Sequence, residues 1–140
     1  ETEARGCERK GSVEQYASAT GIVRLAKRYF EKKKKNSILT GKEITAKEVF
    51  DAAKAGDAAA LEITEEFGAY LGQALVNLAA TVDPAVFVIG GGVSKAGDIL
   101  LETVRKYFYD HAFYGNQKTK ITLATLGNDA GIYGAAKQVL

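Results

Sequence analysis

The sequence predicts an α/β fold whose elements follow in the order ααα-βα-βα. Apolar residues recur at helical spacing from residue 13 to about 33 and again from 57 to about 81. Residues 85–89 are continuously apolar and rich in β-branched side chains, which is typical of a strand in a parallel sheet. Residues 120–126 form a second strand-like segment, and a helical pattern follows each strand. These observations together predict two consecutive βα units behind three helices.

The boundaries of the first two helices follow from glycine and capping residues. The first helix contains Thr20-Gly21, where we expect a break, because glycine weakens a helix interior. Thr45, with Glu48 three residues later, is a capping-box pattern and predicts the start of a short second helix. Gly56 is expected to end it.

Later boundaries are marked by polar caps. Asp57 is predicted to cap the long third helix, and Asp83-Pro84 to end it, because proline disfavours helical geometry in the residue before it. Ser94 is predicted to cap the helix after the first strand. Asp129 is predicted to cap the last helix, which runs from about 132 to 139.

The predicted sheet is incomplete. Two strands are too few for an independently stable sheet, and the apolar run at residues 86–89 requires cover on both faces. The sequence also contains no methionine. We therefore expect residues 1–140 to form one partial domain whose other strands lie upstream.

Composition narrows the class of protein. Apolar residues make up 46% and charged residues 26% of the chain, ordinary values for a globular protein. The net charge of +2 is too small to indicate a nucleic-acid partner. No apolar run approaches the roughly 20 residues that cross a bilayer, so no membrane partner is expected. A single cysteine, Cys7, fits a reducing, cytoplasmic environment.

Three consecutive glycines follow the first predicted strand. Gly90, Gly91 and Gly92 would let a ligand lie against the backbone, and they precede a helix whose first N–H groups lack partners. The carboxyl end of a strand is also where open α/β sheets bind ligands. A nucleotide contact and a plain tight turn both fit this pattern. The spacing matches neither the dinucleotide-binding fingerprint nor a P-loop.

Other reactive residues are sparse. Cys7 alone cannot build the usual four-ligand zinc site, and His111, the only histidine, is distant in sequence, so no metal site is predicted. No Ser-His-Asp set is present, which excludes the common hydrolases. Small residues within 127–136 favour close packing of the last helix on the sheet over direct chemistry. The aromatic residues within 107–114 are expected in the core or at a subunit interface.

Three segments together resemble the ROK family of sugar kinases and sugar-responsive repressors. Residues 89–94, Ile-Gly-Gly-Gly-Val-Ser, are similar to the family's adenosine-side glycine motif. Residues 127–136 are similar to its C-terminal Gly-x-x-Ala-Gly-x-x-Gly-Ala-Ala pattern. Residues 14–22 are similar to the stretch that follows the family's cysteine motif in its glucose-specific kinases. The resemblance implies the C-terminal portion of an actin-like ATPase (ribonuclease H-like, hexokinase-type) fold.

The resemblance also implies roles for particular residues. The family's cysteine motif, Cys-x-Cys-Gly-x-x-Gly-Cys-x-Glu, aligns here with Arg5, Cys7 and Ser12 at its three cysteine positions, so zinc is doubtful. Glu14 matches the glutamate that hydrogen-bonds the sugar hydroxyls, which makes it the candidate substrate-binding residue. Gly90, Gly91 and Gly92 would contact the nucleotide. The family's catalytic aspartate is expected upstream of this chain.

The implied activity is ATP-dependent phosphorylation of glucose to glucose 6-phosphate, with Mg²⁺ on the phosphates, in a cytoplasmic homodimer. One alternative is a sugar-responsive transcriptional repressor of the same family, which an upstream helix-turn-helix would mark. Another is a kinase for a different hexose, such as fructose, allose or an N-acetylated sugar. The isolated chain is expected to be inactive.

Overall fold

The predicted order of elements is confirmed, with the first helix divided in two. The structure, a computed structural model, describes residues 11–33, 36–126 and 130–138. Among these residues no helix combines the length and apolar character needed to cross a membrane. The helices and strands are α1 (Val13–Tyr16), α2 (Ala19–Lys32), α3 (Ala46–Lys54), α4 (Ala58–Val82), β1 (Val86–Ile89), α5 (Asp98–His111), β2 (Lys120–Leu123) and α6 (Ala130–Lys137), with short 3-10 segments at Gly92–Ala96 and Tyr114–Asn116.

The break in the first helix lies earlier than the sequence predicted. It falls at Ala17 and Ser18, not at Thr20-Gly21, because the Ser18 hydroxyl accepts a hydrogen bond from the Gly21 N–H at 3.1 Å and caps α2. Gly21 serves a different purpose. A Cβ built at Gly21 would lie 2.4 Å from the carbonyl oxygen of Tyr16, so glycine permits the close approach of α1 to α2.

The predicted caps of α3 and α4 are confirmed. The Thr45 hydroxyl accepts a hydrogen bond from the Glu48 N–H at 3.3 Å, and Asp57 Oδ1 accepts from the Ala60 N–H at 2.9 Å. At its other end α4 stops at Asp83, which has a left-handed backbone with φ of 41°, directly before Pro84. These boundaries of α3 and α4 were predicted from a side-chain cap or from the steric effect of proline, and the structure agrees with each of them.

Asp57 also joins the loop before α3 to the start of α4. Its carboxylate accepts hydrogen bonds from the Ser37 hydroxyl at 3.0 Å and from the Ile38 N–H at 2.9 Å, besides the bond from Ala60. Partial burial opposes ionisation, but these hydrogen bonds outweigh it and lower the pKa of Asp57. The stabilisation is therefore present above the carboxyl's usual pKa and is lost as the pH falls through the lowered value.

The helix after β1 does not begin at Ser94, so that prediction is wrong. Ser94 lies inside the 3-10 segment, and its hydroxyl donates back to the Gly91 carbonyl at 2.7 Å. The α5 helix starts at Asp98 after Gly97, whose positive φ of 75° interrupts the chain between the two helical segments. Glycine is favoured there because other residues rarely adopt this conformation.

The core is built around α4, against which α2, α3 and α5 pack. Two glycines of α4 let α5 approach it closely. A Cβ built at Gly68 would lie 2.6 Å from Thr103 Cβ, and one at Gly72 would lie 2.9 Å from Tyr107 Cβ. The largest fully buried side chains of the described residues are Phe67, Phe108, Ile22, Ile63, Leu100, Ile121, Val49, Val104, Thr64 and Thr119.

The sheet consists of β1 and β2 in parallel, with Val86 opposite Lys120 and Ile89 opposite Leu123. One face packs on α5, and the Phe87 ring meets Phe108 edge-on at 6.0 Å. The other face is open in the described residues, since Val86 is 45% and Val88 60% exposed. The expectation of cover on both faces is thus met on one face only by the residues that the structure describes.

Candidate functional site

The candidate site lies at the carboxyl end of the two-stranded sheet. Because β1 and β2 are parallel, the residues that follow them meet at the same edge. A Cβ built at Gly90, directly after β1, would lie 3.5 Å from the Cβ of Ala124, directly after β2. Gly90, Gly91 and Gly92, hereafter the glycine turn, are all exposed at this edge.

The glycines of this turn differ in whether the backbone requires a glycine at their position. Gly91 has a positive φ of 77°, a conformation that side chains rarely adopt. Gly92 does not share it and has space for a Cβ among the described residues. Within the described residues, the backbone N–H groups of Gly92 and Val93 have no hydrogen-bond acceptor. The turn therefore offers open donors to an anionic or polar ligand.

The glycine turn adjoins the start of α2. A Cβ built at Gly92 would lie 4.0 Å from the Cβ of Ala19, the first residue of α2. Sequence reasoning missed both Ala19 and Ala124, because alanine carries no chemical signal and these contacts join segments far apart in the chain. They are visible only once the fold is known.

Glu14 lies in the single turn of α1 that precedes α2. It occupies the first turn of α1 and is exposed. Because α1 packs on α2, and α2 begins against the glycine turn, the acidic turn and the glycine turn belong to one packed body. The structure thus brings two of the three predicted segments into one neighbourhood.

An open depression of about 560 Å³ adjoins the 3-10 segment that follows the glycine turn. It is bounded by the end of α3 and the start of α5. Its charged side chains have both signs: Lys54, Lys95, Asp98 and Glu102.

Several predicted residues lie outside the described residues, namely Arg5, Cys7 and the turn at 127–129 with Asp129. Among the described residues no group of three or more His, Cys, Asp or Glu side chains is arranged to hold a metal ion. His111 stacks on Tyr107 at 3.9 Å, and its Nδ1 lies 2.8 Å from the Tyr107 carbonyl oxygen. Its surroundings are those of a surface helix residue.

The fold and the glycine turn define an α/β protein that presents an exposed glycine turn at the carboxyl edge of a parallel sheet. The whole chain, residues 1–140, matches the sequence pattern of the ROK family. This chain belongs to the ROK family, and its fold is a portion of the actin-like ATPase fold, as the resemblance implied.

Two relatives illustrate the range of similar proteins. A glucokinase of Halalkalibacterium halodurans is 42% identical over 133 residues, which cover 91% of this chain and 40% of the relative. An N-acetyl-D-glucosamine kinase of Photobacterium profundum is 30% identical over 131 residues, covering 94% of this chain and 40% of the relative. The chain therefore spans less than half the length of the proteins it matches.

A solved structure of a ROK family protein also resembles this chain. The ROK family glucokinase from Streptomyces griseus, in complex with glucose and AMPPNP, superimposes with a TM-score of 0.84 and is 34% identical. The match covers 95% of this chain and 46% of that one. The similarity thus extends over nearly every element described above.

Proposed function

We propose that this chain is part of a hexose kinase that transfers the γ-phosphoryl group of ATP to glucose, giving glucose 6-phosphate and ADP. The observation that carries the proposal is the likeness to a glucokinase whose structure holds glucose and AMPPNP. The exposed glycine turn lies beside Ala19 at the start of α2, and the α1 turn that carries Glu14 directly precedes α2. This arrangement agrees with a protein that binds two ligands side by side. The ATP requirement fits a cytoplasmic enzyme.

Glu14 is proposed to bind the sugar. A carboxylate has two acceptor oxygens, and two adjacent sugar hydroxyls can donate to them at once. Charge-assisted hydrogen bonds of this kind are about twice as strong as neutral ones. The exposed position of Glu14 on α1 leaves it accessible to a ligand.

The glycine turn is proposed to contact the nucleotide. The Gly92 and Val93 N–H groups, which have no acceptor in the described part of the chain, would donate to its polar groups. The depression beside α3 and α5 is lined in part by the 3-10 segment that follows the turn, and its volume would be available to other parts of the nucleotide. Mg²⁺ would accompany ATP, but the described residues offer it no cluster of ligands, so we assign it none of them.

The catalytic aspartate is proposed to lie outside this chain, which we take to be the C-terminal lobe of the enzyme. The two edges of the sheet support this. The N–H groups of Lys120 and Ala124 donate to β1, so the Ile121 carbonyl between them points away from it. The Nε–H of Arg105 donates a hydrogen bond to this outward-facing Ile121 carbonyl oxygen, at 3.2 Å. Arg105 therefore blocks this part of the β2 edge, and further strands would extend the sheet from β1.

The proposal includes a homodimer. Phe113 is 72% and Tyr114 86% exposed, which gives the loop after α5 two large aromatic side chains of the kind enriched at interfaces. Kinases for other hexoses remain alternatives, since an N-acetyl-D-glucosamine kinase is among the relatives. The substrate assay below separates them.

A coupled assay of ADP release tests the function. The complete protein that contains this chain should release ADP with glucose at a turnover of about 1–10³ s⁻¹, and more slowly with fructose or N-acetylglucosamine. The isolated chain should release none, because it lacks the proposed catalytic aspartate. Preference for another hexose would correct the substrate. Sugar-dependent turnover by the isolated chain would overturn the assignment of the catalytic base to another part of the protein.

The glycine turn allows a separate test of the nucleotide site. Gly92→Ala adds a Cβ that has space and requires no unusual φ, so stability should change by less than about 0.5 kcal/mol. If the nucleotide lies against this backbone, affinity for AMPPNP should fall by about 5- to 20-fold, since even one methyl group blocks close approach. Calorimetric titration with AMPPNP and with glucose measures both affinities.

Gly91→Ala is the comparison variant. Its positive φ predicts a stability loss of about 1–2 kcal/mol whether or not a ligand binds there. Unchanged AMPPNP affinity in Gly92→Ala would reduce the glycine turn to a structural element.

A further inference from the structure

Gln15 is a buried polar residue beside the exposed Glu14. It is 5% exposed, one of four buried polar or charged residues among those described. Burial of an amide is costly unless it is hydrogen-bonded. The buried side chain of Gln15 is therefore expected to make hydrogen bonds that hold the local structure. Neither the glycine turn nor the proposed sugar contact gives it a role.

The contacts of Gln15 close the first turn of α1. Its Oε1 accepts a hydrogen bond from the Ser12 N–H at 3.0 Å, and its own N–H donates to the Ser12 carbonyl at 3.0 Å. Helices shorter than about 12 residues are marginal on their own. A four-residue helix such as α1 therefore depends on such bonds for its geometry.

The other end of α1 is held by packing. The Tyr16 carbonyl sits so close to Gly21 that no Cβ would fit there. The Tyr16 ring stacks on Tyr70 of α4 with centroids 4.7 Å apart. Glu14 thus lies in a turn that Gln15 fixes at the start and Tyr16 fixes at the end.

We propose that Gln15 is a positioning residue for the sugar: it holds the α1 turn so that the Glu14 carboxylate meets two adjacent hydroxyls at once. The inference rests on the proposed function, because it requires Glu14 to bind a hexose. Two simultaneous hydrogen bonds demand placement to within about 0.5 Å, which a loose single turn would not provide. Gln15 itself, being buried, acts through Glu14.

Two variants of the complete protein test the role. Gln15→Met keeps the length of the side chain but removes the acceptor, and should raise the KM for glucose by about three- to tenfold. Gln15→Glu keeps an acceptor at the position where capping boxes accept Glu and Gln alike, and should restore most of the native KM. In both variants the kcat at saturating glucose and the KM for ATP should stay within about twofold of native.

The control is Gln73→Met on α4, which removes an exposed glutamine that bonds Tyr107 and Asn77. This variant makes the same change from glutamine to methionine, but at a residue that does not bond the α1 turn. It should therefore leave the KM for glucose unchanged. Melting temperatures of all variants show whether each remains folded.

The decisive comparison is the double variant Glu14→Gln/Gln15→Met. If Gln15 acts through Glu14, Gln15→Met should add nothing to the KM of Glu14→Gln. Additive effects, or a native KM in Gln15→Met alone, would overturn the positioning role and leave the proposed function standing. No hexose-dependent turnover in the complete native protein would overturn both.

Discussion

Glu14→Gln is expected to raise the KM for glucose by about 10- to 100-fold, following the rule of ~1.4 kcal/mol per decade. The substitution keeps the size of the side chain, removes its charge and replaces one acceptor by a donor, so one of two charge-assisted hydrogen bonds is lost and the other is weakened. The KM for ATP should change little, because the nucleotide is proposed to contact the glycine turn. Steady-state kinetics with each substrate varied in turn measure both constants.

The alternative explanation for Glu14 is purely structural. A carboxylate in the first turn of a helix interacts favourably with the helix dipole, so its loss could cost at most about 1 kcal/mol of stability. A variant with a native KM for glucose and a lowered melting temperature would support that explanation and remove Glu14 from the site. Glu66→Gln, at an exposed carboxylate on α4, is the matched control and should leave both quantities unchanged.

Gly68→Ala is expected to destabilise the chain by about 1–3 kcal/mol, the usual cost of forcing an extra carbon into a well-packed core. The new Cβ would lie 2.6 Å from Thr103 Cβ and 3.0 Å from the Thr103 carbonyl carbon, so α5 would have to move away from α4. This cost should exceed the gain of about 1 kcal/mol that alanine brings to a helix interior. Urea denaturation of native and variant chains measures the difference in the free energy of unfolding.

Gly134→Ala provides the matched control for this effect. Gly134 lies in α6, and outside that helix no atom of the described residues comes within 4 Å of its built Cβ, so only the helix-propensity gain of up to about 1 kcal/mol should remain. If Gly68→Ala is as stable as Gly134→Ala, the close approach of α4 and α5 does not constrain residue 68.

The sequence predicted best where structure depends on local bonds. Thr45 and Asp57 were found as caps because each side chain bonds an N–H group three residues ahead. Ser94 was misjudged because the same local pattern also fits a 3-10 segment. What separates the two is the positive φ of Gly97, which no spacing reveals.

Features that depend on distant contacts could not be predicted. Gly68 and Gly72 gave no sequence signal of their own, because their role requires Thr103 and Tyr107 to lie opposite them. For the candidate site, the position after a predicted strand pointed to the glycines, and the family resemblance pointed to them and to Glu14. Their connection through Ala19 depends on how α2 packs against the sheet, which periodicity alone does not specify.

The outer edges of β1 and β2 differ in how they are protected, and this affects how the chain behaves at high concentration. An unpaired strand edge is a template for pairing with another molecule, and charged side chains that occupy edge groups reduce this risk. Arg105 gives part of β2 that protection, whereas beside the β1 edge the exposed side chains, Val86 and Val88 on the open face, are apolar. Self-association of the separately produced chain would therefore proceed from β1, and a lysine at Val88 would make the protein easier to keep in solution.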